Sequence, residues 1–160
     1  MSIAENLNGL KAELPDHVEL IAVSKTHPAE KVMEAYDTGH RHFGENKVQE
    51  MVAKSETMPS DIRWHLIGHL QRNKVKYIAP FVHLIHGVDS LKLLKEINKR
   101  AKQNERVIDC LIQVFIAKED TKFGMDEKEV RTLIASTELQ ELEHIRVVGL
   151  MGRATNTDNT

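Results

Sequence analysis

The lysine at the end of the first apolar run carries the amine with which this sequence could do chemistry. Residues 20–23 read Leu-Ile-Ala-Val and are followed by Ser24 and Lys25, and Pro28 then favours the start of a helix. Such a run is typical of a parallel strand buried on both faces, and α/β folds place their chemistry at the carboxyl ends of these strands. There the amine would be partly desolvated, which favours the neutral form that attacks an aldehyde to give a Schiff base. By position alone, a solvated lysine at a strand end is the simpler interpretation.

Polar residues also recur directly after the later apolar runs. They are Glu45 and Asn46, His65 with Gly68 and His69, Asp89 and Ser90, residues 118–122, and Arg153. In a barrel of alternating strands and helices all of these would face one mouth. The recurrence also has an ordinary explanation, because loops are polar and helices need caps; Asp89 and Ser90 fit that explanation and are left out of the site.

Hydrophobic periodicity predicts the elements that must position these residues. The predicted strands are residues 19–24, 41–44, 63–67, 83–88, 107–116 and 146–150. The predicted helices are residues 3–14, 28–38, 47–57, 70–78, 90–104 and 127–142, the last with a break near Ser136. Strands that alternate with helices indicate right-handed βαβ units and a parallel sheet. The period alone does not separate an open doubly wound sheet from a (β/α)₈ barrel.

Composition indicates one ordinary globular domain covering residues 1–160. The chain is 41% hydrophobic and 29% charged, and its net charge of −2 gives no global field that favours nucleic acid or a membrane surface. The single cysteine, Cys110, suits a reducing compartment and lies in an apolar run, where packing is expected. The sequence starts without a signal peptide and has no apolar stretch of membrane-spanning length. We therefore expect a cytoplasmic protein.

Two common kinds of site are disfavoured by the spacing of the residues. His65 and His69 have an i, i+4 spacing, but the glutamate of HExxH is absent and Gly68 argues against a continuous helix, so no metal site is expected. Neither GxGxxG nor GxxxxGK[ST] occurs, which removes the best support for a nucleotide-binding Rossmann domain. The basic residues Arg72, Lys74 and Lys76 have no interleaved aromatic residues and are predicted to form a solvated helix face.

Four motifs in order give the chain a specific resemblance. They are AVSKT at residues 22–26, FGENKVQE at 43–50, WHLIGHLQRNK at 64–74 and GLMG at 149–152. Together they closely resemble the pyridoxal phosphate homeostasis protein family, the single-domain relatives of alanine racemase, and the resemblance runs from about residue 3 to the last residue. It implies a (β/α)₈ TIM-type barrel with pyridoxal 5′-phosphate (PLP) bound as a Schiff base to Lys25. It also implies that Asn46, His65 and Met151 lie around the cofactor and that Lys122 lies near the mouth of the site.

The chain departs from the family pattern at three positions and in length. His27, Lys47 and Arg153 stand where family members often carry lysine, tyrosine and methionine, so secondary cofactor contacts through these positions are not carried over. A (β/α)₈ barrel rarely has fewer than about 200 residues, and this chain ends after the sixth predicted strand. We therefore expect a barrel truncated after strand six, without the segments that hold the phosphate in the family, and weak or absent PLP binding by this form.

The resemblance implies a non-catalytic PLP-binding protein that helps to manage the intracellular supply of PLP. Turnover of amino acids is not expected, because the chain has no second domain to supply the opposing acid/base tyrosine of a racemase. The alternatives are an amino-acid racemase or another Schiff-base enzyme on the same barrel, and a helper that binds partner proteins through residues 70–76. The expected partners are PLP and PLP-dependent apoenzymes, with no nucleic acid and no membrane, and the full-length protein is expected to be a monomer.

Overall fold

Six parallel strands, each followed by helical or loop segments, form the sheet of this protein in a computed structural model that describes residues 2–115 and 124–152. The strands are β1 (Ala22–Val23), β2 (His42–Glu45), β3 (Arg63–His69), β4 (Leu84–Val88), β5 (Ile108–Val114) and β6 (Ile145–Gly152). The helices are α1 (Ile3–Glu13), α2 (Ala29–Tyr36), α3 (Val48–Thr57), α4 (Val75–Ile78), α5 (Leu91–Gln103), α6 (Glu127–Ala135) and α7 (Thr137–Gln140).

The order of the strands in the sheet distinguishes between the two architectures that the sequence left open. Each strand pairs in parallel with the next one along the chain, in the order β1-β2-β3-β4-β5-β6. A doubly wound sheet reverses its strand order at a switch point, whereas a (β/α) barrel continues in one direction. The observed order is therefore that of a barrel arc, and among the described residues β1 and β6 are its two edges.

The first strand differs most from the prediction. Only Ala22 and Val23 pair as a strand, and the run expected to be buried on both faces leaves Val23 49% exposed, so that expectation was wrong. The reason is geometric, because in the described part of the chain β1 pairs only with β2, and its successive side chains point to opposite faces. Ala22 packs against the core, while Val23 lies on the other face of the sheet.

Two other boundaries were wrong and one was confirmed. β3 continues through Gly68 to His69, so Gly68 does not end the strand. The helix predicted over residues 70–78 is instead a 3-10 turn, Arg72–Lys74, followed by the single turn of α4. The predicted break near Ser136 is confirmed, because Ser136 both ends α6 and caps α7 with its side chain.

The hydrophobic core lies between the sheet and its helices. Alternate residues of the central strands are almost fully buried, among them Phe43, Trp64, Leu66, Ile85, Cys110 and Ile112, and they meet Leu94, Ile97 and Ala101 of α5 and Met51 of α3. Burial of each large apolar side chain is worth about 1.5–3 kcal/mol. The thiol of Cys110 is part of this core, and burial raises its pKa to about 12, so it packs as a small apolar group. None of the helices in the described part of the chain has the length and apolar character that crossing a bilayer requires.

Candidate functional site

Lys25 is the second residue after β1, at the edge of the sheet where the carboxyl ends of the strands meet. Its side chain is exposed, which corrects the expectation that this amine would be partly desolvated; among residues 2–115 and 124–152, β1 has no second neighbouring strand. Within residues 2–115 and 124–152, Lys25 forms no side-chain hydrogen bond or ion pair. Its ammonium is therefore available to a ligand.

A second lysine, Lys54 of α3, behaves in the opposite way. Its Nζ is buried and donates hydrogen bonds to the backbone oxygen of Ser24 and to Oε1 of Glu45, both at 2.6 Å, and to Oε2 of Glu50 at 3.1 Å. The Ser24 hydroxyl donates to the same Glu45 oxygen at 2.7 Å. This buried network ties the residue just before Lys25 to β2 and α3, and it thereby fixes where the Lys25 backbone lies.

The carboxyl of Glu45 is the electrostatic centre of that network. It is completely buried, and burial raises its pKa, although hydrogen bonds from Lys54 and Ser24 lower it in part. Its other oxygen, Oε2, has no hydrogen-bond partner among the residues that the structure describes. A buried carboxylate with one unsatisfied oxygen depends strongly on the cation that remains beside it.

The turn after Lys25 is held in an uncommon backbone conformation. Thr26 has a φ of 65°, a region that β-branched residues rarely adopt. Its backbone N–H donates to Oε2 of Glu50 at 2.8 Å. Burial would raise the pKa of Glu50, but the hydrogen bonds from Thr26 and Lys54 outweigh this effect and lower it. The hydrogen bond to the Glu50 carboxylate thus offsets the backbone strain at Thr26, where the chain turns after Lys25.

Asn46 directly follows β2, next to Lys25 in the order of the strands, and its backbone packs tightly against β3. A Cβ placed on Gly68 would lie 2.6 Å from the Asn46 carbonyl oxygen and 3.0 Å from its Cα. Only a glycine at position 68 permits this approach. Gly68 therefore has a packing role within β3 rather than the strand-ending role that the sequence suggested.

His65 lies lower in the sheet than Lys25. The register aligns Val23 with Gly44 and Gly44 with His65, so His65 is level with a residue two positions before Lys25. Its side chain is 3% exposed; Nε2 lies 2.9 Å from Nδ1 of His42, and Nδ1 lies 2.9 Å from Nε2 of His86. Burial, followed by the neighbouring histidines, lowers the pKa of His65 to about 3. His65 is a neutral group below the amine.

The remaining predicted site residues are spread more widely. Met151 lies near the end of β6, at the opposite edge of the six-strand order from Lys25. Lys122 lies outside the described residues, as does Arg153. The structure thus brings Lys25, Asn46 and His65 onto three consecutive strands and their ends, and it places Met151 on the last one.

Sequence reasoning missed the buried network around Lys54. A signal was present, because Lys54 continues the spacing of the two buried apolar residues Val48 and Met51 on the inward face of α3. A lysine at such a position needs a buried acceptor, and the preceding strand supplies Glu45.

Arranged in this way, the site offers one exposed amine at the carboxyl end of a parallel sheet. The amine follows a strand end that a buried ion pair and a hydrogen-bonded turn hold in place. Such a group can condense reversibly with a carbonyl compound.

Comparison with known proteins gives consistent matches. The sequence model for the alanine racemase N-terminal domain matches residues 1–160. A pyridoxal phosphate homeostasis protein of Aquifex aeolicus is 43% identical over 83% of this chain and 58% of its own length. One from Haemophilus influenzae is 33% identical over 99% of this chain and 72% of its own length. The chain thus spans somewhat more than half the length of the first of these relatives.

Solved structures agree with the sequence matches. PipY of Synechococcus elongatus with PLP bound superposes with a TM-score of 0.87 at 39% identity, covering 98% of this chain and 72% of that one. An alanine racemase of Clostridium difficile superposes with a TM-score of 0.71 at 21% identity, covering 92% of this chain and 39% of that one, which shows a shared fold alone. The predicted fold class and family are confirmed: the chain belongs to the alanine racemase N-terminal domain family and, within it, to the pyridoxal phosphate homeostasis proteins.

Proposed function

We propose that this chain binds PLP reversibly through the amine of Lys25 and takes part in keeping the intracellular supply of PLP, without turning over amino acids. The observation that carries the proposal is the contrast between the two lysines of the site. Lys54 is buried and engaged with three oxygens, while Lys25 is exposed and has no partner in the described part of the chain. PipY, a relative at 39% identity, has been solved with PLP bound, which supports the same ligand here.

The residues present fit the aldehyde end of the cofactor. When bound, PLP supplies an aldehyde that a lysine amine can attack. Lys25 is that amine, hydrogen bonds of Ser24 and Thr26 hold its backbone, and Asn46 follows the end of the neighbouring strand β2. We propose that His65 closes the floor of the site from below, that Met151 lies around the cofactor and that Lys122 lies near the mouth of the site.

None of the residues assigned above is proposed to hold the phosphate end of the cofactor. Barrels of this kind generally bind phosphate after strands seven and eight. Weak binding of PLP by this chain stays a prediction. We propose the same reversible binding of PLP for any longer protein that contains these residues.

A binding role, rather than turnover, is supported by the groups around the amine. Proton transfer at an amino acid needs an acid or base whose pKa is near the working pH. Burial lowers the pKa of His65 to about 3, and both of its ring nitrogens face other histidines, so it is poorly suited to act as the acid that a racemase needs. The names of the curated relatives describe homeostasis and agree with this reading.

The proposal also covers the transfer of PLP, the cellular location and the oligomeric state. Transfer of PLP to PLP-dependent apoenzymes would follow from reversible binding at an exposed lysine. A cytoplasmic location agrees with the single cysteine and its burial as a thiol. A monomeric state is expected for the full-length protein.

The proposal is tested by titrating the chain with PLP and following the change in cofactor absorbance. With the wild type, the change in PLP absorbance should grow in proportion to the protein concentration, and with Lys25→Ala no change should be seen. Lys99→Ala, which removes an exposed lysine of α5, is the control and should behave as the wild type. An unchanged response in Lys25→Ala would overturn the site. Repeated exchange of α-protons from amino acids by the loaded protein would overturn the non-catalytic part alone.

A further inference from the structure

Three histidines from separate segments meet on the sheet below Lys25. His42 comes from β2, His65 from β3 and His83 from the residue just before β4. One ring nitrogen from each can be chosen so that all three lie within 4.8 Å of one another. The spacing along the sequence did not indicate a metal site, because it offered only His65 and His69, and these lie on one strand.

We propose that His42, His65 and His83 form a binding site for a divalent transition-metal ion of the zinc type. Neutral imidazoles are preferred ligands of zinc, copper, nickel and cobalt ions. Two nitrogens at about 2.0–2.1 Å from a tetrahedral ion are about 3.4 Å apart. Nδ1 of His42 and Nε2 of His65 are 2.9 Å apart, so they need to separate by only about half an ångström to hold an ion.

The outward-facing nitrogens of two ligands already have the partners that metal-bound histidines use. A metal-ligating histidine normally donates its second ring N–H to a carboxylate or another acceptor, which fixes its orientation. Nε2 of His42 lies 3.4 Å from Oε1 of Glu19, and Nδ1 of His65 lies 2.9 Å from Nε2 of His86. With an ion bound, His42 would donate to Glu19 and His65 would donate to His86, while the inner nitrogens face the ion.

The charges around the cluster permit a cation. Burial lowers the pKa of His42, His65 and His83, which disfavours the protonated form that cannot bind a metal ion. Arg63 acts against a positive charge at His42 and His83, and Arg106 does so at His83, whereas Glu19 favours one at both and Asp109 favours one at His83. The ring of His42 is 14% exposed, which leaves a route for an ion from solvent.

A metal-free row of hydrogen bonds is the competing explanation for the same geometry. His86, His65 and His42 can each donate through Nε2 to the next acceptor, ending at Glu19. That row of hydrogen bonds uses two rings of the proposed site and does not include His83, whose ring packs edge to face against His65 and His42 with centroids 5.2 Å and 5.5 Å away. A bound ion is the arrangement in which one nitrogen from each of the three rings has the same partner. The inference goes beyond the proposed function and does not depend on it.

Equilibrium dialysis of the tag-free chain against zinc tests the inference. The wild type and His17→Gln, which removes an exposed histidine outside the cluster, should each bind one ion per chain. His42→Gln and His83→Gln should each weaken binding at least about tenfold, and Glu19→Gln by about tenfold. Circular dichroism identifies any variant that has not folded. No bound ion in the wild type, or equal affinity in folded His42→Gln and His83→Gln, would overturn the inference.

A second measurement needs no variant. X-ray absorption of the zinc-loaded wild type should report three imidazole ligands, and the cobalt-loaded chain should show the visible absorption bands of a tetrahedral ion. One imidazole or none around the ion, or an octahedral cobalt spectrum, would show that the metal is bound elsewhere and would overturn the site.

Discussion

The ammonium of Lys54 lies 2.6 Å from Oε1 of Glu45, and both groups are shut off from solvent. The same ammonium donates to the backbone oxygen of Ser24, so this ion pair joins α3, β2 and the end of β1 at one point. A buried ion pair adds little net stability when intact, but removal of one partner leaves an uncompensated charge. The role of this pair is to set the position of the strand end that carries Lys25.

Replacement of Lys54 by methionine should therefore destabilise the fold strongly. Glu45 would remain buried without its cation, and we expect the free energy of unfolding to fall by about 3–5 kcal/mol. Denaturant unfolding measures this loss. Lys99→Met, on the exposed face of α5, is the control and should change stability by less than about 0.5 kcal/mol. A loss in Lys54→Met no larger than in this control would show that the pair does not organise the strand end.

Gly68→Ala should disturb the contact between β3 and the end of β2. The added Cβ would lie 2.6 Å from the Asn46 carbonyl oxygen, and because that atom is backbone it cannot move aside cheaply. We expect a loss of about 1–3 kcal/mol in thermal or denaturant unfolding. Gly9→Ala is the matched control, since nothing lies within 4 Å of its Cβ and it is inside α1, so it should stabilise by about 0.5–1 kcal/mol. Equal effects of the two substitutions would contradict this view of Gly68.

Stability should fall as the pH is lowered from 6.5 to 5. The folded state holds the pKa of His65 at about 3, below its ordinary value of 6.5, so the unfolded state binds the proton first. The stability contributed by the neutral ring is fully present above pH 6.5 and is lost progressively towards pH 3. At pH 5 the loss is roughly 2 kcal/mol. The lowered pKa values of His40, His42, His83 and His86 act in the same direction.

Unfolding at a series of pH values measures this effect. His65→Gln should lower the slope of the unfolding free energy against pH by the amount that corresponds to about one proton bound on unfolding. His17→Gln, at an exposed position, should leave the slope unchanged. A wild-type stability that stays constant or rises between pH 6.5 and pH 5 would contradict the burial of neutral histidines.

The sequence predicted the elements well and their exposure less well. Helix caps and breaks are local, so the Ser136 break could be read from the chain and is confirmed. The exposure of Val23 depends on which strands flank β1, and a run of apolar residues does not contain that information. The choice of a barrel arc likewise came from the resemblance and from the strand order, not from periodicity.

The candidate site was predictable where a motif marked it. Lys25, Asn46 and His65 came from ordered motifs, and the structure places them on β1, β2 and β3 or at their ends. Their roles toward a cofactor stay predictions, as do those of Met151 and of Lys122, which lies outside the described residues. The histidine cluster was not predictable, because it depends on the register that aligns Gly44 with His65 and His65 with Leu84.

The central claim is that Lys25 is the amine that holds PLP. Its most direct test is to incubate the chain with excess PLP, reduce with borohydride to make the linkage permanent, and map the modified peptide by mass spectrometry. We expect a single main adduct at Lys25, with none at Lys54, whose ammonium is buried and hydrogen-bonded. A main adduct at any other lysine, or no adduct at Lys25 at saturating PLP, would contradict it.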